Sequence, residues 1–129
     1  MDAKTKTVLI VEDNELNMKL FHDLLDAHGY NILQTKDGME ALDIAREHRP
    51  DLILMDIQLP KISGLDATRQ LRNDPRTASV PIIVVTSFAL SGDEQKATAA
   101  GATAYLAKPY SPRVLLAKIR EIVPEDSAE

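Results

Sequence analysis

Short apolar runs alternate along this chain with longer stretches of helical periodicity, and turn residues fall at each change of period. Val8-Leu9-Ile10-Val11 is a continuous, mostly β-branched run. After Glu12 and Asp13, the segment from Asn14 to His28 carries Leu16, Leu20, Phe21, Leu24 and Leu25 at helical spacing, and Gly29 supplies the stop. Tyr30 to Thr35 reads as a weaker strand. Asp37-Gly38-Met39-Glu40 is a cap with glutamate at its third helical position, opening a helix through Leu42, Ile44 and Ala45 towards His48, which Pro50 ends. Asp51 to Met55 is the third strand. Beyond Pro60, a helix capped by Ser63 runs through Leu65, Ala67, Thr68 and Leu71, and Asp74-Pro75 closes it. Pro81 introduces Ile82-Ile83-Val84-Val85, whose lack of alternation predicts a central strand buried on both faces. Ser91-Gly92-Asp93-Glu94 reads as a capping box for an alanine-rich helix with a thin apolar stripe, stopped by Gly101. Ala104 to Ala107 is a short last strand. Ser111 and Pro112 open a final helix that carries Val114, Leu115, Ile119 and Ile122, and Pro124 begins an acidic tail.

Five strand-then-helix units with short connections predict a doubly wound α/β sandwich, a parallel sheet with helices on both sides. Sites in such sheets lie outside the carboxyl ends of the strands, so the residues following the apolar runs are the candidates. They are Glu12 and Asp13 after the first run, Asp56 after the third, Thr86 and Ser87 after the fourth, and Lys108 and Pro109 after the fifth. Singly, most have a plain explanation: Asp13 as a helix cap, Glu12 as a solvated turn residue, Thr86 as a strand end, Lys108 as a surface lysine. Asp56 is different, because a carboxylate placed directly after a buried strand ionises unfavourably without a counter-charge. Three carboxylates at one sheet edge repel one another unless a cation joins them. Oxygen donors without His or Cys select a hard divalent ion, Mg²⁺ first and Mn²⁺ acceptable. Mg²⁺ leaves room for a phosphoryl group, which Thr86 and Lys108 would contact and which Asp56 would accept as an acyl phosphate.

Composition narrows the field further. The 129 residues and 14.2 kDa suit one domain, and the apolar (44%) and charged (27%) fractions are those of a globular chain rather than a disordered one. A net charge of −5 disfavours nucleic-acid backbones and anionic membranes, and the absence of cysteine excludes disulfide scaffolds, thiolate metal sites and thiol nucleophiles. No tryptophan stands available for base stacking. The polar start, Met1 to Lys6, has no apolar leader core, and no apolar run approaches the roughly 20 residues of a membrane span, so a cytoplasmic chain without membrane insertion is expected. His22, His28 and His48 fall on helices or their ends, apart from the carboxylates.

Val8 to Val11 followed by Glu12-Asp13-Asn14, Leu52 to Met55 followed by Asp56, Leu59-Pro60, Gly64, Val84-Val85-Thr86-Ser87 and Lys108-Pro109 together resemble a response-regulator receiver domain. The resemblance covers Thr7 to about Val123. It implies a flavodoxin-like (β/α)5 fold of strand order 2-1-3-4-5, with a domain at 7–123 between a short tail (1–6) and an acidic one (124–129). It further implies that Asp56 is the phosphoacceptor, loaded from a phosphohistidine on a sensor kinase or histidine phosphotransferase. On the same match, Asp13 ligates Mg²⁺ directly, Glu12 acts through a metal-bound water, and the backbone carbonyl of Gln58 adds a ligand beside Asp56. Thr86 and Lys108 match the phosphoryl-contacting positions, and Lys108-Pro109 falls where the family commonly has a cis peptide. Tyr105 matches a switch aromatic that turns inward as the Thr86 hydroxyl moves to the phosphoryl group; the plain alternative is a packed core tyrosine.

Gln58 and Phe88 depart from the chemotaxis-type pattern, both beside the route of an attacking water, which bears on the lifetime of the phosphorylated form. Phe88, Ala89, Leu90, Tyr105 and Tyr110 would form an apolar protein-binding patch. The short flanks leave no room for an output domain. The longer stretches Asn14 to Asn17, Pro60 to Gly64 and Thr86 to Glu94 resemble single-domain cell-division and polarity regulators of alphaproteobacteria, which implies output through binding sensor kinases or phosphatases, recruitment to a cell pole by partners, and a monomer or weak phosphorylation-dependent dimer. A phosphorelay shuttle or the detached receiver of a larger regulator remain alternatives. So do an aspartate-nucleophile phosphatase, which needs a second acid where Gln58 stands, a flavin carrier of the same fold, and a scaffold with a dead site.

Overall fold

In the computed structural model, which describes residues 6–86, 92–107 and 111–123, strands and helices alternate as the periodicity predicts. The elements are β1 (Thr7–Val11), α1 (Glu15–Ala27), β2 (Asn31–Thr35), α2 (Gly38–His48), β3 (Leu52–Asp56), α3 (Gly64–Arg72), β4 (Ile82–Thr86), α4 (Asp93–Ala100), β5 (Ala104–Ala107) and α5 (Pro112–Ile122). All strand pairs are parallel and the order is β2-β1-β3-β4-β5. β3 holds the middle of the sheet and β4 lies beside it; both are buried along their whole length, as unalternating Ile, Leu and Val runs require. β2, at one edge, is only partly covered, matching its weaker pattern.

Strand alternation divides the core in two. On one side Val8, Ile10, Leu52, Leu54, Ile83 and Val85 pack with Met18, Phe21 and Leu25 of α1 and Leu115 and Ile119 of α5. On the other, Leu9, Val11, Ile53, Met55, Ile82 and Val84 meet Ala41, Leu42, Ala45, Ala67, Leu71 and Ala97 from α2, α3 and α4.

Three local expectations need correction. In α1, Leu16 and Leu20 are 66% and 56% exposed, and the buried stripe is Met18, Phe21 and Leu25. Leucines stand on opposite sides of this helix, and the side that Met18 leads, at i, i+3 and i+7, is the one that meets the sheet. In α5, Val114 is 46% exposed and Leu116 takes its place inside. At α4 the cap is Gly92, in a left-handed conformation (φ 86°) with no side-chain cap bond, rather than Ser91, which lies outside the described residues. Entry through a positive φ delays the helix by one residue and puts Asp93, a buried acid, in the first turn. The other caps form as the sequence predicts: Asp37 accepts from Met39 N and Glu40 N, Ser63 from Asp66 N and Ser111 from Val114 N.

Candidate functional site

Asn14 caps α1, its side chain accepting from Asn17 N at 2.9 Å, so Asp13 is not spent on that task. Asp56 ends β3 and Thr86 ends β4, both buried, and the β1–β3 register (Val11 opposite Met55) carries Glu12 and Asp13 past the strand end alongside Asp56. Ligand oxygens of Glu12, Asp13 and Asp56 all lie within 4.8 Å of one another. The structure thus brings together the three carboxylates that the sequence placed there.

Glu12 is not a solvated turn residue. It is 3% exposed, against 8% for Asp56, because its backbone N donates to Thr35 O (3.0 Å) and keeps it in line with the sheet. Asn14 N donates to Glu12 Oε2 at 3.1 Å. Burial, followed by the neighbouring charge of Asp56, pushes the Glu12 carboxyl up to about 7. Burial likewise raises Asp56, and a hydrogen bond from Gln58 N to Asp56 Oδ1 (3.3 Å) pulls part of that back. Two buried acids with raised affinity for protons beside a third, exposed acid form a strongly electronegative pocket of oxygen donors. A hard divalent cation fits this set, with Glu12, Asp13, Asp56 and the Gln58 carbonyl able to hold it.

The loop after β3 is shaped by one glycine. A Cβ on Gly64 would lie 1.9 Å from Asp56 O, so no other residue lets α3 start this close to the acid. Gly64 N donates to Ile57 O at 2.8 Å and Thr68 Oγ1 to Gly64 O at 2.8 Å, which fixes the turn.

Tyr105 sits on β5 opposite Val84, half-buried against the α2–α4 side of the core. Its hydroxyl is raised by burial and by the charges of Asp93 and Glu94 on α4. The proximity of Asp93 had no signal in the sequence, where that residue read as part of a cap. Lys108, Pro109 and Tyr110, with Ser87, Phe88, Ala89 and Leu90, lie outside the described residues. His22, His28 and His48 stay on helices or their ends, apart from the carboxylates, as expected. Two hollows of about 500 and 570 Å³, lined by residues such as Arg46, Asp74, Arg76, Pro50 and Pro81, lie towards the opposite, amino ends of β3 and β4; none of their walls is one of the three acids.

Residues 8–120 match the family described as response regulator receiver domain. The polar-differentiation response regulator DivK of Brucella anthropi is 58% identical over 106 residues, 82% of this chain and 86% of that protein; DivK of Brucella ovis is 58% identical over 107 residues, 83% and 87% of the two chains. Among solved structures, a putative response regulator from Chloroflexus aurantiacus superposes with a TM-score of 0.88 at 31% identity, covering 93% of this chain and 98% of that one. The receiver domain of a sensor histidine kinase from Pseudomonas aeruginosa, solved with a magnesium ion coordinated in its active-site cleft, gives a TM-score of 0.85 at 36% identity over 92% and 98% of the two chains.

Proposed function

Because this chain belongs to the response-regulator receiver family of two-component signalling, we propose that Asp56 is its phosphoacceptor, charged in a Mg²⁺-dependent transfer from a phosphohistidine of a sensor kinase or histidine phosphotransferase. The observation that carries this reading is the burial of Asp56 and Glu12 with Asp13 inside a 4.8 Å triangle of carboxylate oxygens, an arrangement of negative charge that a bound divalent cation offsets once the Glu12 proton is gone.

Mg²⁺ bound by Asp13, Asp56, the Gln58 carbonyl and, through water, Glu12 would neutralise the acids and the phosphoryl oxygens; Mn²⁺ has the same preference for oxygen. Asp56 then attacks phosphorus through an ionised oxygen: a P–O bond forms as the donor's P–N bond breaks, and the departing imidazole nitrogen takes a proton. Glu12, whose carboxyl is pushed up to about 7, gives up its proton before the site can hold the cation. Thr86 donates its hydroxyl and Lys108 its ammonium to the phosphoryl oxygens. Movement of Thr86 at the end of β4 frees space for Tyr105 on the neighbouring β5, and the altered face, with Phe88, Ala89, Leu90 and Tyr110, binds the partner.

The likeness to DivK supports a role in cell division and polarity, executed by binding sensor kinases or phosphatases as a single-domain regulator. Gln58 speaks against an aspartate-nucleophile phosphatase, since a carboxamide cannot serve as the second acid. Among the described residues no helix is long and apolar enough to cross a membrane.

Intact mass after incubation with Mg²⁺ and acetyl phosphate tests the proposal. One phosphoryl group gained by the wild type, and none by Asp56→Asn or after chelation, supports it. Equal gain by the variant, or no gain by the wild type, overturns it.

A further inference from the structure

The two loops that carry the carboxylates are tied together on the α2 side by a run of contacts that the chemistry above does not use. Glu12 N donates to Thr35 O at 3.0 Å, and the Thr35 hydroxyl accepts from Asp37 N (3.2 Å) while donating to the Glu40 carboxylate. Asp37 Oδ1 caps α2 through Met39 N (2.7 Å) and Glu40 N (3.4 Å), and its other oxygen, Oδ2, takes Lys61 Nζ at 2.6 Å. Lys61 belongs to the loop between β3 and α3, three residues after Gln58, and has a φ of 72°, a conformation in which glycine is the usual choice. The same loop seats on the first turn of α2, where a Cβ on Gly38 would come 2.9 Å from Ile62 Cγ1 and 3.1 Å from Ile62 O.

The residue types are informative. Asparagine would cap α2 as well as aspartate does, and glycine would make the turn more easily than lysine, so neither the cap nor the turn accounts for the acid and the base together. The ion pair does. Resting on the metal-site reading given above, we propose that Asp37 and Lys61 are positioning residues for that site: their ion pair pins the loop against α2 and so sets the reach of Gln58, whose N already holds Asp56 Oδ1 at 3.3 Å, towards the carboxylates.

Charge alone would predict something different, which makes the idea testable. Removing the acid weakens a nearby cation site through space and removing the base strengthens it, whereas loss of positioning weakens the site in both cases. Mg²⁺ is titrated calorimetrically into the metal-stripped full chain of the wild type, Asp37→Asn, Lys61→Met, the double variant and Lys61→Arg. Both single variants are expected to bind Mg²⁺ about three- to tenfold more weakly, at the low end of what outer partners of metal sites control. The double variant should be no worse than either single one, and Lys61→Arg should match the wild type. Phosphorylation by acetyl phosphate should need more Mg²⁺ in the single variants and reach the wild-type rate at saturation. Opposite shifts in the two variants, or unchanged affinity in both, overturn the proposal while the wild type still binds Mg²⁺. A wild type that takes up no Mg²⁺ overturns the site reading itself.

Discussion

Burial and the charge of Asp56 make Glu12 hard to ionise, while burial and the charge of Asp13 do the same to Asp56 and a hydrogen bond from the Glu12 carboxyl eases it; that tension is measurable without any phosphoryl donor. Replacing Asp56 with asparagine removes one of the opposed charges and keeps an acceptor for Gln58 N. At pH 8 without metal, Asp56→Asn is expected to melt roughly 3–6 °C above the wild type, the shift that about 1 kcal/mol gives a domain of this size, while losing both Mg²⁺ binding and phosphorylation. Glu12 sets a pH dependence of its own. Its carboxyl lies at about 7 in the folded chain against 4.5 ordinarily, so the folded state holds the proton more tightly than the unfolded one. The stabilisation this brings is complete below the unfolded value and disappears as pH rises through the folded one. Denaturant titrations of the metal-free protein should therefore show stability falling between about pH 4.5 and 7, a fall that Glu12→Gln flattens. Asp74 works in the opposite direction at more acid pH, since Arg76 holds its carboxyl below the usual range. The sequence made Asp56 legible because a carboxylate ending a buried strand demands an explanation. Glu12 was harder, because its burial depends on Thr35 O, a partner on another strand that no local pattern announces.

Helices and loops show where a pattern of residue types stops being informative. The periodicity of α1 is right, yet Leu16 and Leu20 face water while Met18, Phe21 and Leu25 face the sheet, because leucines occur around most of the helix and only the crossing geometry chooses a side. Leu16→Ser is accordingly expected to change stability by less than about 0.5 kcal/mol, against about 2–5 kcal/mol lost in Leu25→Ala, both read from urea midpoints. Two glycines make a similar pair. Gly29 has a φ of 86° and open space around its missing Cβ, so alanine there carries only the left-handed penalty of about 1–2 kcal/mol. In Gly64→Ala the new carbon meets backbone at 1.9 Å, and either the turn or the end of β3 must move. That variant should lose more stability than Gly29→Ala and, because the displaced atom belongs to Asp56, should also bind Mg²⁺ more weakly. The start of α4 escaped the sequence reading for a related reason: serine and glutamate at capping-box spacing are a strong signal, but a left-handed Gly92 moved the cap by one residue.

At the level of the whole molecule, the strand order β2-β1-β3-β4-β5 reverses direction between β1 and β3, and the acids gather at the carboxyl ends of those two strands. The five-unit alternation made this architecture legible from the sequence, because β-branched runs separated by amphipathic helices leave few ways to cover a parallel sheet. What the pattern could not supply was which partners from distant segments would close over each side. The β1–β3 pairing also has a kinetic consequence. The two strands are far apart in the chain, with α1, β2 and α2 between them, so the acids are strangers until that part of the sheet has zipped and the following loop has settled on α2. A cation that recognises only the finished arrangement has nothing to grip on the uphill side of the folding barrier. In stopped-flow chevrons, Mg²⁺ should lower the unfolding limb and leave the refolding limb where it was, so that the ion acts as a latch on the native state rather than as a seed for it.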